Sequence, residues 1–316
     1  MALKQVLEVL ELVDSARASG AAVAALLRQR GLDKVKVTTV KGPRGSTDFV
    51  KAVIPGRRGK TTGGRAATLG VIGRLGGLGA RPTMIGLVSD GDGAVAALAT
   101  ALKLADMRAA GDRLPGDVIV ATHVCPDAPT RPHKPVPFMG SPVGIEEMNR
   151  IEVDRAMDAI LSIDTTRGNR ILNRRGIAIS PTAKAGWILR VSDDLLDLMQ
   201  IVTGQLPVVL PITMQDITPY GNDLYHLNSI MQPTTATDAP VVGVALTAES
   251  AVPGCATGAS QPVDIDLAVR FCIETAKGVG AGKCAFYDPA EFARIEKLYG
   301  PMTRLQTLGK GGRGKK

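Results

Sequence analysis

ATLGVIGRLGGLGARPTMIGLVSDGDGAVAALATALKLAD (67–106) is the stretch that decides the fold. ATLGVIG (67–73) is an apolar run of strand length, and MIGLVS (84–89) is a second one that ends on Asp90. A helix is expected from about 92 to 106, with Val95, Leu98, Leu102 and Ala105 recurring at helical spacing. Strands apolar on both faces that lead into helices are the units of a buried, parallel sheet.

The same alternation continues outward in both directions. Two helices come first, at roughly 3–14 and 20–30, followed by strands at 35–40 and 49–54. Downstream, DVIVATHV (117–124), AILSID (159–164), Trp187 to Val191, PVVLPI (207–212) and PVVGVALT (240–247) read as strands. Ser192 caps a helix that stops at Gly204, and helix 264–277 buries Ile265, Val269, Cys272, Ile273 and Ala276. In the last helix Asp288 is the N-cap, Pro289 opens the first turn and Glu291 completes a capping box before Gly300-Pro301. The expectation is one α/β domain over 1–308, a three-layer sandwich around a central mixed, largely parallel sheet. A disordered basic tail follows at 309–316.

Composition excludes several function classes. With 45% of its 316 residues hydrophobic, the chain can bury a large core unaided. No run approaches 18 apolar residues, so no membrane partner is expected. The amphipathic start, Leu3 to Val13, is not an export signal, which makes the reducing cytoplasm the expected compartment. The four cysteines form no CxxC pair, in keeping with that compartment. Of the net charge of +8, four charges sit in the final KGGRGKK, and aromatics are only 3% of the chain. No nucleic-acid partner is expected from such a pattern.

Ligands of open α/β sheets sit at the carboxyl ends of strands, which here carry Arg74, Asp90, His123 to Asp127 and Asp164. GRLGGLG (73–79) lacks the dinucleotide spacing, and Gly59-Lys60-Thr61 lacks the upstream glycine of a phosphate-binding loop, so no nucleotide cofactor is expected. SDGDG (89–93) places Asp90 and Asp92 between a strand and a helix; Asp92 reads as an N-cap, and both carboxylates suit a divalent metal. In THVCPD (122–127) alternation puts His123 and Cys125 on one face, with Asp127 in reach after the turn and His133 beyond. Imidazole, thiolate and carboxylate make a zinc set; the alternative is a histidine hydrogen-bonded to a neighbouring loop. Asp164 ends an apolar strand and needs a cation or a partner such as Arg167 or Arg170. Asp238, in TATDAP, and His226, in DITPYGNDLYH, are candidates for substrate contact together with Arg167. No G-x-S-x-G elbow supports a serine hydrolase.

VKGPRGSTDFVKAVIPG, IGRLGGLGARP, THVCPDAPTRPHKPVPFMGSP, DTTRGNRILNRRGIAISP, MQDITPYGN and PGCATGAS together resemble the prokaryotic family catalogued as domain of unknown function 1177. That resemblance implies no established activity. More distantly, the order of elements is similar to the zinc-dependent exopeptidases, in particular the di-zinc aminopeptidases. SDGDGAVAALATAL looks like their segment with a metal-bridging aspartate, making Asp90 or Asp92 its counterpart, and AILSIDTT looks like a later metal-ligand segment carrying Asp164. The sequence departs from that pattern elsewhere. Arg74 stands where the first histidine belongs, Cys125, Pro126 and Asp127 stand where a Glu-Glu pair belongs, and Cys255 is the one candidate near the late histidine's place.

The resemblance implies a hydrolase-like protein with an altered metal site built from Asp90, Asp92, Asp164, His123 and Cys125, holding a divalent metal such as zinc. His123, Asp127 and Arg74 would act on an amino-acid, peptide or other amide substrate, and the chain would form a homo-oligomer. The alternative is a subunit that binds a small ligand or builds an assembly without catalysis. Without a metal, Arg74 is expected to pair with Asp90 or Asp164. Removing residues 309–316 should leave the thermal midpoint unchanged, since a Gly/Lys/Arg end buries no apolar area. A large fall on truncation would show that the tail docks.

Overall fold

A computed structural model describes residues 1–15, 17–43, 45–74, 87, 91–125, 130–131, 138–139, 141–213, 224, 228–250 and 260–307. The strands expected within 84–89, apart from Leu87, and the tail at 309–316 lie outside the described residues.

Helices α1 (Leu3–Val13) and α2 (Gly20–Gln29) precede a hairpin of β1 (Val35–Gly42) and β2 (Gly45–Ile54). Then come β3 (Leu69–Gly73), α3 (Asp92–Ala109), β4 (Val118–Val124), the two-residue pair β5 (Thr130–Arg131) and β6 (Phe138–Met139), and α4 (Ile145–Glu152). Strands β7 (Ala159–Thr165), β8 (Gly176–Ile179), β9 (Ala183–Lys184) and β10 (Trp187–Ile188) follow, then α5 (Asp193–Thr203), a 3₁₀ segment Ser229–Ala236, β11 (Val241–Thr247), α6 (Pro262–Ala281) and α7 (Pro289–Tyr299). Among the described residues, nine strands form one sheet in the order β1-β2-β4-β3-β7-β11-β9-β10, with β8 also paired to β11. Its centre, β4-β3-β7-β11, is parallel, and the antiparallel pairings lie to either side.

Alternation along the central strands builds two cores. Val71, Val120, Leu161 and Val244 face α1, α3 and α6 in the larger one. Ile72, Ile119, Ile160 and Ala245 face Met157, Ile230 and Met231 in the smaller one. Helix α3 does not follow the one-sided pattern that its spacing suggests: every residue from Asp92 to Leu102 is buried. It is enclosed by the sheet on one side and by α1 and α6 on the other, which its many alanines permit.

The start of α3 lies directly on the backbone of the sheet. A Cβ on Gly93 would stand 2.5 Å from both the Arg74 and the Ile163 carbonyl oxygens, and one on Gly73 would stand 2.5 Å from the Gly93 carbonyl. Only hydrogen fits at either position.

Three local expectations are corrected. PVVLPI (207–212) is not a strand: Val209 makes an isolated bridge to Ile179, because Pro207 and Pro211 have no N–H to offer a ladder. The Trp187 strand stops at Ile188. In α7, Asp288 accepts from the Ala290 and Glu291 amides, but the Glu291 carboxylate pairs with Arg190 instead of closing the capping box. Among the described residues no helix is long and apolar enough to cross a membrane.

Gly93→Ala should destabilise the fold by about 3 kcal/mol, as overpacking against rigid backbone does. Gly144→Ala, where a Cβ meets nothing within 4 Å, should change stability by less than about 1 kcal/mol. Urea denaturation of the two variants checks the contrast; equal effects would show that α3 can move away from the sheet.

Candidate functional site

Parallel register gathers the polar ends of three strands. Ile72 is aligned with Ala121 and Gly73 with Ile163, so Arg74 comes level with both His123 and Asp164. All three side chains point to the face covered by α4 and the 3₁₀ segment. The Arg74 amide donates to the Ile163 carbonyl at 2.6 Å, which fixes the arginine where β3 ends.

The guanidinium of Arg74 is buried, 3% exposed. Its Nη1 lies 3.3 Å from Glu152 Oε2, and its Nη2 donates to Asn149 Oδ1. The other carboxylate oxygen of Glu152 is 2.5 Å from His123 Nδ1, on a fully buried imidazole that also touches the Phe49 ring. An ionised carboxylate only accepts, so Nδ1 is the donor to Glu152, and in the neutral imidazole Nε2 is then the acceptor nitrogen. Asn149 completes the group by donating to the Gln232 carbonyl at 3.0 Å and to Thr235 Oγ1 at 2.9 Å. Asn149 and Glu152 sit three apart on α4, so one helix face delivers both.

Three buried polar atoms of this cluster, Arg74 Nε, His123 Nε2 and Glu152 Oε2, have no hydrogen-bond partner among the described residues, although Glu152 Oε2 is ion-paired with Arg74. Buried donors and acceptors left without a partner are costly, and such pairs mark places where water or a ligand binds.

A family model described as a protein of unknown function, DUF1177, matches residues 38–309. The chain belongs to that family. No characterised protein matches it in sequence. Among solved structures, the LapA aminopeptidase of Legionella pneumophila matches with a TM-score of 0.51 at 13% identity, over 87% of this chain and 72% of that one. Glutaminyl cyclase from an Acidobacteriales bacterium gives 0.50 at 13% identity, over 89% and 94%. A mutant of tomato leucine aminopeptidase gives 0.48 at 12% identity; 86% of this chain is covered, and it spans 60% of that protein's length. At 13% identity the likeness to LapA and to the glutaminyl cyclase shows the fold alone, an aminopeptidase-like and glutaminyl-cyclase-like α/β sandwich.

The other expected site residues of this DUF1177 chain fall in different places. Asp164 accepts from its neighbour's amide, Thr165, and from Ser229 Oγ at 3.1 Å. Cys125 shares the His123 face, but it is wholly buried 3.4 Å from Thr47 Oγ1, and burial pushes its thiol up to about 12. Asp92 is not the N-cap of α3; Gly91 occupies that position. Its buried carboxylate lies on the α3 side of the sheet, 3.1 Å from Arg167 Nη2, and accepts from Ser260 Oγ. Arg167 holds a left-handed backbone, φ 55°, while making that pair. Asp238 precedes β11, at the opposite end of the sheet from Arg74, where it accepts from Gln306 Nε2. Asp90, Asp127, His133, His226 and Cys255 lie outside the described residues.

Among the described residues no three of His, Cys, Asp or Glu converge. The described donors are engaged with protein partners, and the cation among them is Arg74, whose carboxylate partner among the described residues is Glu152 rather than Asp164; Asp90 lies outside those residues. The described set therefore does not fit a metal pair. Glu152 and Asn149 were not among the expected residues. Their signal lay in IEEMNRIE (145–152), where a carboxylate falls four residues after Met148 on the side of the helix that turns inward.

Burial is the main influence on Asp92 and pushes its carboxyl above the usual range, while Arg167 and Ser260 pull it down. The folded state then holds that proton more tightly than the unfolded chain. Ionising it costs stability as pH rises from 3.8 through the raised value. Asp92→Asn should accordingly gain stability relative to the parent as pH rises across that window. Denaturation midpoints that run parallel at every pH would contradict this.

Proposed function

We propose that this family uses an aminopeptidase-like scaffold to hold a small amide, whether amino-acid amide, peptide or related compound, at the carboxyl ends of β3, β4 and β7. In this reading Arg74 supplies the positive charge that a metal supplies elsewhere. The observation that carries it is the pair of buried atoms anchored to one Glu152: a donor, Arg74 Nε–H, and an acceptor, His123 Nε2. An amide presents the complementary pair, a carbonyl oxygen for the arginine and an N–H for the histidine.

The same two groups can carry hydrolysis. His123 Nε2 takes a proton from water as the water oxygen adds to the amide carbon, and the oxyanion is held by the guanidinium. Collapse breaks the C–N bond, and the imidazolium returns the proton to the departing amine. Glu152 keeps the imidazole in the tautomer this needs, and its charge balances Arg74.

The test uses the full chain and a panel of amino-acid amides and dipeptides, followed by calorimetry and amine release, with and without EDTA. Binding should persist in EDTA and should fall at least about tenfold in His123→Gln and in Arg74→Lys, each losing a hydrogen bond to the ligand. Binding without amine release would favour the non-catalytic reading of the same site. Binding that requires zinc, or that is untouched in both variants while their folding is intact, would overturn the proposal.

A further inference from the structure

We infer that a second site, on the outer side of α4, binds a small organic carboxylate. A cleft of about 530 Å³ lies between α4 and the 3₁₀ segment Ser229–Ala236, with Gln306 and Thr307 also in its lining. That volume suits a small-molecule ligand. Its floor is polar and built in: Asn149 and Gln232 line it although they are 3% and 1% exposed. Ile145 and Val153 give it an apolar wall.

The charge of the rim selects the ligand. Arg150 and Arg155 both line the cleft, against a single acid, Glu146. Arg150 is already paired with Glu147 on its own helix, whereas Arg155 has no ion pair among the described residues. Guanidinium groups bind the planar oxygens of a carboxylate in a bidentate fork, and Thr237, whose hydroxyl accepts from the Ala239 amide, adds a hydroxyl donor beside them. The apolar wall asks for a carbon skeleton on the anion, which inorganic phosphate lacks. Glu146 can meet an ammonium group, so a zwitterion such as an amino acid also fits.

This site is separate from the one proposed above, because neither Arg74 nor His123 lines it. The two are nevertheless joined by one side chain. Asn149 donates to Thr235 in the cleft while accepting from Arg74 beneath it. A ligand seated against Asn149 in the cleft would therefore be felt at the buried network.

The full-length protein is titrated with propionate, alanine and inorganic phosphate at constant ionic strength, with the thermal midpoint and the side-chain amide and imidazole NMR signals as readouts. Propionate and alanine should raise the midpoint and shift the Asn149 amide signal, and phosphate should do neither. Arg155→Ala, an exposed residue whose loss should leave the folding curve unchanged, should weaken the response about tenfold or more. Overturning results would be no response to either carboxylate, a response to phosphate alone, or the same affinity in Arg155→Ala. None of these depends on EDTA, on amine release or on His123→Gln, so failure here leaves the amide proposal standing.

Discussion

The architecture rests on a contact that has no side chains in it. Gly73 and Gly93 let the first turn of α3 lie on the backbones of β3 and β7, closer than any Cβ would allow. The helix then has nowhere to go but inward, and its alanines let α1, α6 and the sheet close around it. Two consequences follow for the chemistry. Arg74 is forced out on the far side of the sheet immediately after Gly73, its amide tied to Ile163. Asp92 is fixed on the near side, where Arg167 and Ser260 meet it. One tight junction thus sorts the polar residues at the strand ends into two groups on opposite faces.

Burying an arginine, a glutamate and a histidine together is expensive unless each is satisfied, since desolvating the charges costs several kcal/mol per ion. The cluster offsets part of that cost by sharing. Glu152 serves Arg74 through one oxygen and His123 through the other, and Asn149 serves Arg74 while anchored to the 3₁₀ segment. Such an arrangement fixes geometry more than it adds stability. It keeps a charge in place at a site where the fold otherwise has mostly apolar strands.

The sheet was legible in the sequence because its central strands are short, apolar and bounded by turns, and parallel pairing then follows from the intervening helices. The ends of β3, β4 and β7 were legible for the same reason, which is why Arg74, His123 and Asp164 fall on one face. What stayed hidden were the partners. Nothing local marks Glu152 as the residue that reaches Arg74, because its role is set by how α4 docks across the sheet. Asp92 looked like a cap by spacing alone, yet Gly91 takes that position since Asp92 is drawn to Arg167, far off in sequence. PVVLPI carried the composition of a strand and failed as one through its two prolines.

The layer formed by α4 is attached differently from the rest. The helices on the α3 side are held by continuous apolar contact, whereas α4 presents Met148, Asn149 and Glu152 as its buried residues. Its grip on the sheet is thus largely electrostatic and directional, where that of α3 is hydrophobic and diffuse. Attachments of the first kind break over a short displacement, and those of the second give way gradually. In hydrogen-exchange terms α4 is expected to be less protected than the β4-β3-β7-β11 centre. Release of this one short helix would open the buried polar group to solvent while leaving the core that holds Arg74 in place.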